Sequence, residues 1–205
     1  VDSADKKLYN IMKKAGVISV QFGLESGNQE VLDFYNKKTT VEKIRKAVNL
    51  SHETGFFTTG TFILGAPFES KKHFENTIKF AKSLPLEGAS FLPLRYMAGA
   101  ELWEKAVKNK SIDSNEYEQH ADLNRNLGVY TEKELLNFCK KYQRLFYYRP
   151  SFLINLFRSS LEKNDLSLFQ RLISIYYSYL KEQTNLIKLF SKKESDLHSA
   201  NTTIY

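Results

Sequence analysis

The chain has 205 residues, of which 42% are hydrophobic, with 9 glycines and 4 prolines; that excludes a collagen-like or low-complexity chain and is too apolar for disorder throughout. Its net charge of +7 is uneven, since residues 1–130 carry 18 Lys/Arg against 16 Asp/Glu and residues 131–205 carry 12 against 7. The basic residues of the tail are dispersed, which reads as a solvated helical face and argues against a nucleic-acid or membrane surface.

Leu8, Ile11 and Met12 recur at helical spacing until Gly16, after which Val17–Phe22 is a short apolar run that predicts a buried strand. Residues 23–27, Gly-Leu-Glu-Ser-Gly, predict a turn, and Gln29 to Tyr35 a short helix. Thr39 and Glu42 have the spacing of a capping box ahead of a helix on Ile44, Ala47, Val48 and Leu50 that ends near Gly55. Phe56–Leu64 predicts a second strand, residues 65–69 a turn, and Ser70 the cap of a helix on Phe74, Ile78, Phe80, Ala81 and Leu84. Ala89–Leu94 predicts a third strand, Arg95–Ala100 a loop, and Glu101–Lys108 a helix.

Three strand–helix alternations with long connections predict the α/β class: a partial TIM-type (βα) barrel of about three βα units with parallel strands over residues 1–110. Residues 111–130 read as a linker. A second capping box, Thr131 and Glu134, opens a helical C-terminal extension over residues 131–190. Pro150 starts its second helix and Leu166 to Phe190 form its last; residues 191–205 read as a disordered tail.

In parallel βα folds the loops after the C-terminal strand ends carry function. Glu25 and Ser26 follow the first predicted strand, Glu69 the second, and Arg95 and Tyr96 the third. One rim with two carboxylates, a guanidinium and hydroxyls suits a polar small-molecule substrate. Plainer readings exist for each: Glu69 could favour its own helix N-terminus, and Arg95 could pair with either glutamate for structural reasons. A carboxylate directly after a buried strand, as at Glu25, has to be solvated or paired. Four scattered histidines lack metal-ligand spacing, and Cys139 falls on an apolar helix face as a core thiol. A lone cysteine excludes a disulfide framework, and with no signal-peptide pattern or spanning apolar run it points to the cytoplasm.

The string from Gly16 to Leu32, GVISVQFGLESGNQEVL, followed by Lys37-Lys38-Thr39-Thr40, resembles the fourth-strand region of radical S-adenosylmethionine (SAM) barrels. Residues 62–69, FILGAPFE, resemble their fifth-strand segment. This resemblance implies the C-terminal half of a radical SAM barrel, with SAM as cofactor. It implies that Glu25 and Ser26 contact the SAM ribose and methionine moiety, while Ile63, Leu64 and Gly65 pack on adenine. Glu69, Arg95 and Tyr96 would lie on the substrate side. Ala98-Gly99-Ala100 departs from the family's Pro-Gly-Thr.

The three-cysteine motif that holds the [4Fe–4S] cluster is absent from these residues, so the cluster's ligands are expected upstream, in an N-terminal part of the same protein. A first residue of Val rather than Met agrees with that expectation. Phe146-Tyr147-Tyr148-Arg149-Pro150 resembles the helical extension of members with an N-terminal cobalamin-binding domain, which adds cobalamin as a candidate cofactor. The resemblance thus implies reductive SAM cleavage and radical chemistry by the parent enzyme on an unknown substrate, with this chain inactive alone. Two alternatives stay open: a non-catalytic basic helical interaction module, and a barrel hydrolase using Glu25 and Glu69 as acid and base.

Overall fold

The computed structural model describes residues 5–162 and, beyond them, Gln170, Ile173, Ser174 and Tyr177. The chain divides into two compact units, Val1–Asn155 and Leu156–Tyr205. The expected tail over 191–205 and, apart from those four residues, the expected helix from Leu166 to Phe190 lie outside the described residues.

In the first unit α1 (Lys6–Lys14) starts at Asp5, whose side chain accepts a hydrogen bond from the Lys7 N–H at 3.0 Å. Its buried Tyr9 packs edge-on against Phe56, with ring centroids 5.6 Å apart. There follow β1 (Ser19–Glu25), α2 (Gln29–Phe34), α3 (Val41–Glu53), β2 (Phe57–Leu64), α4 (Lys71–Ser83) and β3 (Gly88–Pro93). The three strands form a parallel sheet in the order β1-β2-β3, with Gln21 opposite Thr59 and Thr61 opposite Ser90.

Side chains alternate across this sheet. Phe22, Leu24, Phe62, Leu64 and Phe91 are buried on one face, where α3 and α4 pack on β2. Ser19, Gln21, Thr59, Thr61 and Ser90 take the alternate positions, and those on β1 and β3 are exposed.

Two local expectations change. The turn expected at residues 23–27 starts later, because a bulge between Gly23 and Glu25 lets β1 keep pairing through Glu25. The cap of α3 is Thr40, whose hydroxyl accepts from the Lys43 N–H at 3.2 Å, whereas Thr39 is buried.

After β3 the chain forms β4 (Arg95–Met97), α5 (Glu101–Lys108) and β5 (Glu118–His120). β4 and β5 pair antiparallel, so Arg95–Met97 is strand where a loop was expected. Residues 111–130, expected as a linker, hold β5 and a 3-10 turn, Leu123–Arg125, and bury Ile112, Ala121 and Leu127. The signal was missed because β5 is three residues long, polar, and pairs with a segment more than twenty residues back.

α6 (Glu132–Tyr147) opens with the expected Thr131–Glu134 capping box, and α7 spans Pro150–Glu162. α6 closes the outer edge of β3 with side chains instead of a strand. The Gln143 amide accepts from the Phe91 N–H at 3.0 Å and donates to the Ala89 carbonyl at 2.6 Å, while the Tyr147 hydroxyl accepts from the Ala89 N–H at 3.1 Å. One side-chain amide thus satisfies the edge much as a neighbouring peptide group would. Replacing Gln143 by Leu leaves the Phe91 N–H and the Ala89 carbonyl without it. The expected outcome is a loss of about 1–3 kcal/mol, seen as a lower urea midpoint at an unchanged slope; an unaltered midpoint would show that α6 holds the edge by apolar packing alone.

Candidate functional site

Glu25 ends β1 in a conformation side chains avoid, with φ at 60°. Such strain costs on the order of 1–3 kcal/mol and here coincides with the β1 bulge. The carboxylate is 7% exposed and pairs with the Lys37 ammonium at 2.6 Å. It folds back over Gly23: a Cβ on that residue would stand 2.8 Å from Glu25 Oε1, so a larger residue there would push the carboxylate aside. Lys37 comes from the loop after α2, between Asn36 and Lys38, which both have positive φ. Its role as the partner of Glu25 was not anticipated from the sequence.

Ser26 turns inward. Fully buried, its hydroxyl lies 3.1 Å from that of Thr77 on α4 and accepts from the Asn28 N–H at 3.1 Å. The Asn28 side-chain amide extends the network to the His73 carbonyl at 2.9 Å. These bonds tie the turn after β1 to α4.

At the end of β2, Ile63 is half-buried at a position alternating with the core residues Phe62 and Leu64. The Leu64 carbonyl accepts from the Leu94 N–H at 2.7 Å, and its side chain is core. Gly65 has φ at 110°, and a Cβ there would lie 2.6 Å from Leu135 Cδ2 on α6; both facts demand glycine. Glu69 closes this turn on itself: its Oε2 accepts from the Gly65 N–H at 2.7 Å and the Ala66 N–H at 2.8 Å. It is fully buried. Among the described residues its Oε1 has no hydrogen-bond partner, and neither has the buried hydroxyl of Tyr35 in the loop after α2.

Arg95 and Tyr96 are used elsewhere. Arg95 pairs with Glu118 at 2.8 Å, across β4 and β5, rather than with Glu25 or Glu69. Buried Tyr96 donates its hydroxyl hydrogen to the Leu127 carbonyl at 2.9 Å. An open acid–base pair of Glu25 and Glu69 is equally unsupported, since one carboxylate is ion-paired and the other is shut in its own turn.

The alternate face of the sheet was missed as a candidate surface. Gln21 Nε2 donates to Thr61 Oγ1 at 3.1 Å, and Thr59 and Ser90 lie beside it in register. The clue stood in Phe57–Leu64, where Thr59 and Thr61 are two residues apart and so share one face of the strand. Cys139 is a buried thiol whose pKa desolvation pushes up to about 12, which keeps it protonated and unsuited to ligating iron. Among the described residues no cluster of His, Cys, Asp and Glu could hold a metal ion, and no helix is long and apolar enough to cross a membrane.

Residues 2–81 match the family model described as Radical SAM superfamily. The chain is 31% identical over 156 residues to an uncharacterized methyltransferase of Pyrococcus horikoshii, covering 75% of this chain and 34% of that protein. It is 38% identical over 78 residues to an anaerobic magnesium-protoporphyrin IX monomethyl ester cyclase of Rubrivivax gelatinosus, covering 38% of this chain and 14% of the cyclase. The chain therefore spans about a third or less of these curated relatives. Among solved structures it resembles Elp3 of Methanocaldococcus infernus with an N-terminal deletion, at a TM-score of 0.55 and 19% identity over 73% of this chain and 31% of that one, a likeness of fold.

Burial raises the Glu69 pKa from 4.5 to about 7, against the lowering effect of the two backbone N–H donors. A folded-state pKa above the unfolded value means that the fold prefers the protonated carboxyl. Its contribution to stability is thus fullest below about pH 4.5 and falls as pH rises through about 7. The loss is roughly 3 kcal/mol in all. Thermal melts of wild type and Glu69→Gln across this range should show the variant gaining on wild type as pH rises; parallel pH profiles would contradict the assignment.

Proposed function

We propose, from the premise that the chain belongs to the radical SAM superfamily, that residues 1–110 form the C-terminal half of a radical SAM barrel and supply one wall of its SAM pocket. The observation that carries this reading is the parallel pairing of β1 with β2, which sets Glu25 beside Phe62 and so brings the Glu25–Lys37 pair next to the segment Ile63, Leu64 and Gly65. A carboxylate held at the rim by an ammonium suits the hydroxyls and charged groups of SAM. The half-buried side of Ile63, with the backbone of Leu64 and Gly65, suits the flat adenine. Ser26 and Glu69 then act one step back, by holding the two turns in shape.

SAM bound here would supply reductive carbon–sulfur cleavage and hydrogen-atom abstraction from an unactivated C–H bond. The [4Fe–4S] cluster that this chemistry needs does not fit the residues present, since Cys139 is single and buried. It would be held by another part of the protein, which is also the chain's closest partner. The names of the relatives, a methyltransferase and a monomethyl ester cyclase, support methylation or ring closure of a small-molecule substrate. Gln21, Thr61 and Ser90 are candidates to meet that substrate.

The test is SAM binding by calorimetry to the cluster-loaded full-length protein. Glu25→Gln keeps the side-chain volume but removes the charge that pairs with Lys37, and affinity should fall about ten-fold or more, that is about 1.4 kcal/mol. Arg95→Gln, which alters the separate ion pair with Glu118, should bind as wild type does. Equal affinities for wild type and Glu25→Gln would refute the pocket assignment.

A further inference from the structure

We propose that Glu69 is a proton-operated latch on the turn between β2 and α4, closed when its carboxyl is neutral and loosened when it is ionised. This concerns the regulation of the proposed SAM pocket and rests on that reading for its functional consequence, though not for the latch itself.

The geometry is asymmetric. One carboxyl oxygen, Oε2, gathers the Gly65 and Ala66 N–H groups at 2.7 and 2.8 Å, and can do so in either protonation state. The other, Oε1, is buried without a partner. When the carboxyl is neutral its proton can sit on Oε1, and no charge is left in the interior. When it ionises, Oε1 carries charge that no described donor meets, and a buried unpaired charge is among the costliest groups a fold can hold. Relief requires water to enter or the turn to move out from under Leu135, which covers Gly65 from α6.

The surroundings do little to prevent this. His73 on α4 favours the ionised form and Glu30 on α2 opposes it. The His73 ring is engaged elsewhere, since its Nδ1 accepts from the Ser70 N–H at 3.0 Å and its Nε2 lies 2.6 Å from Glu30 Oε1. From the remaining elements Tyr35, Tyr130 and Cys139 sense the carboxyl: burial raises the pKa of each, and the charge of Glu69 adds to it. All three stay neutral near pH 7 and supply no cation. The balance of burial over these groups puts the Glu69 transition at about pH 7, within the working range of a cell.

Gly65 is the residue whose backbone is proposed to face adenine. Loosening its turn should weaken SAM binding, while protonation should tighten it.

The experiment follows the Gly65 and Ala66 amide resonances of the 205-residue chain, labelled with 15N-glycine and 15N-alanine, between pH 5 and 9. In wild type both should titrate together with a midpoint near 7, and Glu69→Gln should abolish the step while its other amide signals confirm the fold. If that variant fails to fold, the wild-type midpoint still decides: a value below about 5, the ordinary carboxylate range, or no titration at all, overturns the latch. SAM affinity of the cluster-loaded full-length protein is then compared at pH 6 and 8.5. A weakening of about ten-fold in wild type that is absent in Glu69→Gln links latch to pocket. A pH-independent affinity in wild type overturns that link. If the amides titrate but SAM binds at neither pH, the latch stands and the pocket reading falls.

Discussion

Parallel pairing of β1 with β2 and of β2 with β3 is the constraint on which the rest depends. Strands that run the same way can be joined only by crossing a face of the sheet, so each connection has to carry helix across it and re-enter at the opposite end. The segments that leave the C-terminal ends of β1 and β2 are therefore neighbours although some forty residues separate them, as the alignment of Glu25 with Phe62 shows. From that arrangement the Glu25–Lys37 pair and the turn that begins at Gly65 lie at the same end of the sheet. The alternation of side chains then divides the labour: phenylalanines and leucines fix the helices on one face, and short polar residues leave room on the other.

The two ends of the sheet differ in how their polar groups are satisfied. At the N-terminal end of β2, Glu87 accepts from the Thr58 N–H at 2.8 Å, and the Ser51 and Thr58 hydroxyls lie 2.8 Å apart, all of it buried and partnered. Past the C-terminal ends of β1 and β2, by contrast, stand a glutamate at positive φ, a carboxyl oxygen without a donor and a tyrosine hydroxyl without an acceptor. Folding alone rewards the first pattern and penalises the second. Strain and unsatisfied groups persist where something other than stability selects them, which favours the C-terminal end as the site.

Much of this was legible in the sequence because the signals were local and periodic. The parallel strands could be read from apolar runs, and the Thr131 capping box from its spacing. The rim position of Glu25 followed from its place directly after a strand. What escaped detection was non-local. Pairing of Arg95 with Glu118 depends on β5, which carries no apolar pattern, and the closing of the β3 edge by Gln143 is a contact that no spacing rule announces. The Thr39–Glu42 spacing pointed one residue too early, since Thr39 is buried and the Thr40 hydroxyl takes the Lys43 N–H. Ser26 shows the limit of position as a guide, since a residue at a strand end can face inward once a bulge re-aims the chain.

Gly23 and Gly65 show how the polar end of the sheet is held together by absence of side chain. A Cβ on Gly23 would displace the Glu25 carboxylate, and a Cβ on Gly65 would meet α6 through Leu135. Each glycine therefore joins a polar group at the rim to a structural element behind it: the first presses the Glu25–Lys37 pair onto the sheet, and the second seats the Glu69 turn under a helix. Enlarging either residue would shift the geometry of a neighbouring carboxylate without touching that carboxylate's own chemistry. The turn that Glu69 closes and α6 therefore share a boundary at Gly65, which lies against Leu135. Through Leu135 the helix that seals the free edge of β3 with Gln143 also packs against the turn at the end of β2.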